Sequence, residues 1–210
     1  MPRLLSTGRL TPVCCVTDVS EKVNAPSLRA RFATSSLAKL NLPNQFKDQF
    51  LIANIDYADQ LDHTFVIVDS SSPIYTTKSD IGENTPSSPS SSFLNKTADE
   101  CWLLLRALRE AGADIDYESF VIIDERTLQD GTVLVVVKEL LTEDEAAQAT
   151  DASVRMPCKL ASFRLLSYLS AEGDIAGDVV MAQRHEDGVL REDEEELTAE
   201  EEERLYGPFD

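Results

Sequence analysis

Basic residues are scarce in this chain. Its 210 residues hold 19 Lys and Arg against 38 Asp and Glu, a formal net charge of −19. A surface this acidic repels phosphate, so nucleic acid is not an expected partner. Long apolar runs are missing too. None approaches the roughly 18 residues of a membrane span, and no membrane partner is expected. Eight glycines, thinly spread, form no Walker-type loop and no dinucleotide fingerprint. There is no serine nucleophile elbow. Two histidines and four cysteines without Cys-x-x-Cys spacing make neither a zinc site nor a disulfide scaffold. These gaps together lead to an expectation of no cofactor and no bound metal. No apolar stretch of secretory type follows Met1-Pro2-Arg3, so the cysteines are expected as thiols in a reducing compartment, the cytoplasm.

The charge that is present is unevenly placed. Residues 1–47 carry seven basic residues against two acidic ones. Residues 48–183 carry nine against 24, and residues 184–210 carry three against 12. This asymmetry reads as a basic flexible arm over 1–45, a domain over 46–183 and an acidic tail over 184–210. Within the arm, Leu28-Arg29-Ala30-Arg31-Phe32-Ala33-Thr34-Ser35-Ser36 is Arg-bearing, Ser-rich and free of acids. It looks like the end of a mitochondrial presequence cut after Phe32, which makes the mitochondrion the alternative location. Residues 70–92 read as a disordered insertion, because 12 of the 23 are Ser or Thr and three are Pro. Its Thr85-Pro86 and Ser88-Pro89 pairs fit proline-directed phosphorylation or an unmodified loop. Setting aside arm, insertion and tail leaves 115 residues, one ordinary domain.

Four strand signals fall in that core, at 50–56, 64–69, 119–124 and 132–137. The last three are continuous β-branched or aromatic runs, the pattern of strands covered on both faces, so helices should flank the sheet. A helix is expected over 98–112. Thr97 and Glu100 form a capping box, Cys101, Leu104, Leu105, Leu108 and Ala111 recur at helical spacing, and Gly112 supplies the stop. Leu104 and Leu108 should face the sheet, with Trp102 at the edge of the stripe. A second helix is expected over about 158–172, between Pro157 and Gly173, with Leu160, Phe163, Leu166 and Leu169 as its apolar face. A short helix over 142–149 and another over 201–205 are further expectations. The fold class is α/β: a mixed sheet with flanking helices in a single domain.

Chemistry is sought first at strand ends. Asp56, Asp69 and Asp124 each end a strand, and parallel strands would gather them where ligands bind. Such carboxylates hold Mg²⁺ for phosphoryl transfer, with Lys138 as the phosphate partner. The connections oppose this. Seven residues separate 50–56 from 64–69, and seven separate 119–124 from 132–137. A parallel crossover needs about ten or more, so both pairs should be antiparallel. Asp also ends strands simply because it suits turns. Asp56, Asp59 and Asp62 before His63 admit a metal or acid–base reading, with no partner triad in view. The ligand-binding candidates are therefore Asp56, Asp59 and Asp124, with no catalytic residue and no metal ligand assigned.

Two stretches carry a resemblance. Ile55-Asp56-Tyr57-Ala58-Asp59 resembles the strand-ending Thr-Asp-Phe-Ser-Asp of an uncharacterised small α/β domain family of bacteria and fungi. The run from Tyr117 to Asp124, the Thr127-Leu128 step and Thr132–Val136 are similar to that family's paired strands. Val154-Arg155-Met156-Pro157 looks like its next short strand. The matches cover about a third of the chain. The resemblance implies a fold and carries no activity with it.

Three classes of function follow. The leading expectation is a non-enzymatic interaction or regulatory domain with a protein partner. The alternative is a metal-dependent phosphoryl-transfer or hydrolytic enzyme using Asp56, Asp59 or Asp124. The third is a domain whose sheet is completed by a partner at an exposed, uncharged edge strand.

Overall fold

The computed structural model describes residues 9–17, 65–71, 75–77, 91–139, 150–170 and 173–191. They form five strands and four helices in the order β1 (Thr11–Cys15), β2 (Phe65–Val68), α1 (Ala98–Glu110), β3 (Ser119–Ile123), α2 (Glu125–Asp130), β4 (Thr132–Glu139), β5 (Thr150–Pro157), α3 (Ala161–Leu169) and α4 (Ile175–Gln183). The sheet order is β2-β1-β3-β4-β5. β1 is parallel to both β2 and β3, while β3–β4 and β4–β5 are antiparallel. This is the mixed α/β sheet with helices that the strand patterns imply. The seven-residue argument holds for β3 and β4. The strand at 50–56, Asp56, Asp59, His63, the presequence-like stretch 28–36, the helices at 142–149 and 201–205 and the Thr85/Ser88 sites lie outside the described residues.

Alternation along each strand sends side chains to two faces. Cys14, Val66, Phe120, Ile122 and Val136 turn to one side, where Cys101, Trp102, Leu105 and Leu108 of α1 meet them. Val13, Ile67, Val121, Val133 and Met156 turn to the other, where Leu165 of α3 and Ala182 of α4 join them. The sheet is buried on both faces, which is why its strands read as unbroken apolar runs.

α1 starts as its sequence dictates. The Thr97 hydroxyl accepts from the Glu100 N–H, and the Glu100 carboxylate accepts from the Thr97 N–H at 3.0 Å. The helix stops before Gly112, whose φ of +109° suits glycine. Leu108 is buried and Leu104 packs at the margin of the same core, while Leu103 points to solvent.

β1 corrects the expected arm. Residues 11–15 form a strand inside the sheet, between β2 and β3. Pro12 explains why the segment does not read as one. Leu10 donates to the Asp114 carbonyl and Val16 to the Ile123 carbonyl, so even-numbered residues here aim their N–H toward β3. Pro12 belongs to that set and has no N–H. Opposite it, β3's chain loops out: Leu10 lies against Ile115 and Val13 against Val121, so a step of three residues faces a step of six. The surplus residues pass where no donor exists. Asp116 closes the loop, accepting from the Glu118 N–H at 2.9 Å and the Ser119 hydroxyl at 2.6 Å. A presequence cut after Phe32 would remove this central strand.

Three further boundaries move. At the start of the expected insertion 70–92, Tyr75 is buried, and its phenol accepts from the Asp69 and Ser70 N–H groups. Ser92 donates to the Asp69 carbonyl, so both ends of the insertion close on one residue. The expected second helix opens with a 3₁₀ turn at Cys158–Leu160 and becomes α-helical at Ala161. The tighter turn shifts the helical phase. Ala161 and Leu165 face the core, and Phe163, expected inside, is 45% exposed. The tail begins later than residue 184, because Val189 and Leu190 are buried and the Leu190 N–H bonds the Arg155 carbonyl at 2.8 Å. Between α3 and this segment, α4 is an element that the sequence reading did not contain. Asp174 caps it, accepting from the Ala176 and Gly177 N–H groups. The Tyr168 hydroxyl donates to the buried Asp178 carboxylate and ties α4 to α3. No described helix is long and apolar enough to cross a membrane.

Candidate functional site at the carboxyl edge of the sheet

Parallel β1, β2 and β3 end on one edge, followed by Val16-Thr17, Asp69 and Asp124 respectively. Ligands of open α/β sheets bind at such an edge. Asp69 and Asp124 thus share an edge, with β1 between them. Two strand spacings set them about 10 Å apart, beyond the reach of a shared cation whose oxygen ligands sit at about 2–2.6 Å. Among the described residues, no group of three or more His, Cys, Asp and Glu is placed to hold a metal ion.

Asp124 follows β3 and caps α2. Its Oδ1 accepts from the Thr127 N–H and hydroxyl, both at 2.9 Å, and the Thr127 hydroxyl accepts from the Asp124 N–H in return. The Arg155 guanidinium of β5 binds both carboxylate oxygens. Burial by itself raises the carboxyl, but the hydrogen bonds of Arg155 and Thr127 outweigh it and hold Asp124 below the usual carboxylate range. Asp130, at the other end of α2, is also lowered. Burial opposes the shift, and bonds from Thr132 and Arg126 prevail. Arg126 also donates to the Asp187 carbonyl at 2.6 Å. A continuous polar lattice therefore joins α2, β4, β5 and the segment after α4.

Lys138 is not part of this edge. β4 runs antiparallel to β3, and the Lys138 N–H bonds the Glu118 carbonyl, at the opposite end of β3 from Asp124. Its ammonium reaches Asp99 at 2.7 Å and lies 5.3 Å from the Trp102 ring centre. The strand-end aspartate and the lysine that sequence proximity pairs are thus separated by the sheet.

All four cysteines are free and buried. Burial first, then contact with Cys101, pushes the Cys14 thiol well up, and burial pushes Cys158 up. These sulfurs are packed thiols, as their spacing implies. Arg155 is the site residue that sequence reasoning missed. Its only signal was a charge at a core-strand position, in Val154-Arg155-Met156.

No protein-family model, no curated protein and no solved structure matches this chain.

Proposed function

We propose that this chain is a non-enzymatic interaction or regulatory domain that works through a protein partner. One observation carries the reading: Asp124, the candidate carboxylate within the described residues, commits both oxygens to Arg155 and Thr127. A carboxylate held in this way serves as the cap of α2 and as the ion-pair partner that braces α2 against β5. The packed thiols support a reducing compartment, the cytoplasm.

The runner-up is a metal-dependent phosphoryl-transfer or hydrolytic enzyme. It draws on Asp69 and Asp124 sharing the carboxyl edge, with Asp56 and Asp59 as further acids. Calorimetry of the chelator-treated whole chain with Mg²⁺ separates the two. The interaction reading expects no heat of binding. Micromolar affinity abolished by Asp124→Asn or Asp56→Asn would replace it with the enzyme reading. In parallel, cross-linking in native cells should recover one partner saturably, competed by added whole chain and unchanged by Asp124→Asn.

A further inference from the structure

We propose that the flank of α1 beside Lys138 binds a short-chain monocarboxylate, whose carboxylate takes the place of Asp99 on the lysine and also accepts from the Trp102 indole. This site is separate from the protein-partner reading and stands or falls without it.

The site is marked by a donor without an acceptor. Trp102 is 9% exposed, and its buried Nε1–H finds no acceptor among the described residues. A buried N–H left unbonded forfeits its hydration, and a bound molecule that accepts from it restores the loss. Cations border the same ring. The Lys138 ammonium lies 5.3 Å from the ring centre and the Arg106 guanidinium 5.9 Å. Arg106 donates to the Glu110 carboxylate at 3.0 Å. Lys138 donates to Asp99 Oδ1 at 2.7 Å. The buried ammonium therefore already holds one carboxylate, and the indole beside it holds none.

The geometry selects the occupant. A carboxylate has two acceptor oxygens, and with Nζ 5.3 Å from the ring centre, one oxygen on Nζ and the other on Nε1, each at about 2.9 Å, bridge the two donors. Asp99 serves only the first of them. Its side chain is largely exposed, so it returns to water at little cost when another carboxylate takes the ammonium. The exchange conserves charge at Lys138 and adds the indole bond. A net charge of −19 favours a single negative charge over a dianion such as phosphate. The rim then calls for an apolar tail. Leu103 follows Asp99 by four residues, so it is its neighbour on the helix surface, and it is 56% exposed. Exposed Asp99 and Leu103 form the mouth, and buried Lys138 and Trp102 form the floor.

The test uses the whole chain labelled with ¹⁵N. Trp102 is the only tryptophan, so one indole N–H resonance reports the site. Butyrate, acetate, phosphate and chloride are titrated in turn at constant ionic strength. Butyrate should move the indole resonance downfield and saturate in the millimolar range, acetate should act more weakly, and phosphate and chloride should leave it in place. Lys138→Met should abolish the response. Asp99→Asn removes the resident carboxylate and should tighten butyrate about two- to fivefold, the worth of an exposed ion pair. Leu103→Ala should weaken butyrate about threefold and leave acetate unchanged. If Lys138→Met fails to fold, Asp99→Asn carries the test, and an unchanged affinity for butyrate would overturn the proposal. An indole resonance indifferent to both carboxylates would also overturn it, most directly if cross-relaxation showed a trapped water on the N–H. So would a shift that chloride produces equally, or one that persists in folded Lys138→Met.

Discussion

Lys138 and Asp99 are 39 residues apart in the chain, and their Nζ and Oδ1 atoms lie 2.7 Å apart. The pair is lopsided. The Lys138 side chain is 2% exposed and that of Asp99 is 72% exposed. The ammonium is drawn under α1, against the ring of Trp102, while its counter-ion faces water. A long stem packed in apolar surroundings carries much of the burial.

Lys138→Met keeps the stem and removes the charge. Replacing a buried ion with an apolar group of similar volume is commonly close to neutral. The variant should stay within about 1 kcal/mol of the parent in urea unfolding. The emission of Trp102, the only tryptophan, should shift because a cation leaves its face. A loss above about 3 kcal/mol would show that the ammonium itself holds the fold.

Leu108 and Leu103 test the orientation of α1. Leu108 is buried against the sheet, so Leu108→Ala should cost about 2–5 kcal/mol. Leu103→Ala, on the solvent side, should change stability by no more than about 0.5 kcal/mol. Equal costs would mean the helix is rotated from the position described.

Asp124 predicts an acid-side loss of stability. Its folded pKa lies below the unfolded value of about 3.9, so its contribution is full above that value. It disappears as pH falls through the depressed folded value. Asp124→Asn keeps the cap on α2 and loses the Arg155 pair, at a cost of about 1–3 kcal/mol at neutral pH. Asp124→Ala should lose about 1 kcal/mol more with the cap. Thermal melts below about pH 4 should decline less steeply in Asp124→Asn than in the parent. Parallel declines would assign the acid sensitivity to other carboxylates.

Truncation to residues 33–210 removes β1 from between β2 and β3. The remaining strands cannot close that gap, and the product should lack a cooperative urea transition. A truncated chain that unfolds as sharply as the parent would show β1 to be dispensable.

The cysteines should be silent toward a thiol reagent in the native state and all four should react in urea. Rapid labelling of any one in the folded chain would contradict its burial.

Local chemistry made part of this protein legible. Thr97 and Glu100 start a helix by satisfying each other's backbone groups, which needs only their three-residue spacing. The runs at 119–124 and 132–137 announce strands because both of their faces are apolar, and seven residues between them force an antiparallel turn. Asp124 was legible as a residue that ends a strand and suits a turn, while its pairing with Arg155 of β5, 31 residues away, was not. β1 was illegible for the opposite reason. Thr11-Pro12-Val13-Cys14-Cys15 is short, carries a proline and is set in a basic stretch, which masks the strand preference of Thr11 and Val13. It becomes one because β2 and β3 supply partners on both sides, and the chain leading into β3 loops out opposite Pro12. The face of α3 was likewise decided in three dimensions, where the 3₁₀ turn after Pro157 shifts the helix and sends Phe163 outward. Sequence determined those features whose stabilising partners lie within a few residues. The tertiary structure decided those whose hydrogen-bond and packing partners lie tens of residues away, because local composition does not encode that pairing.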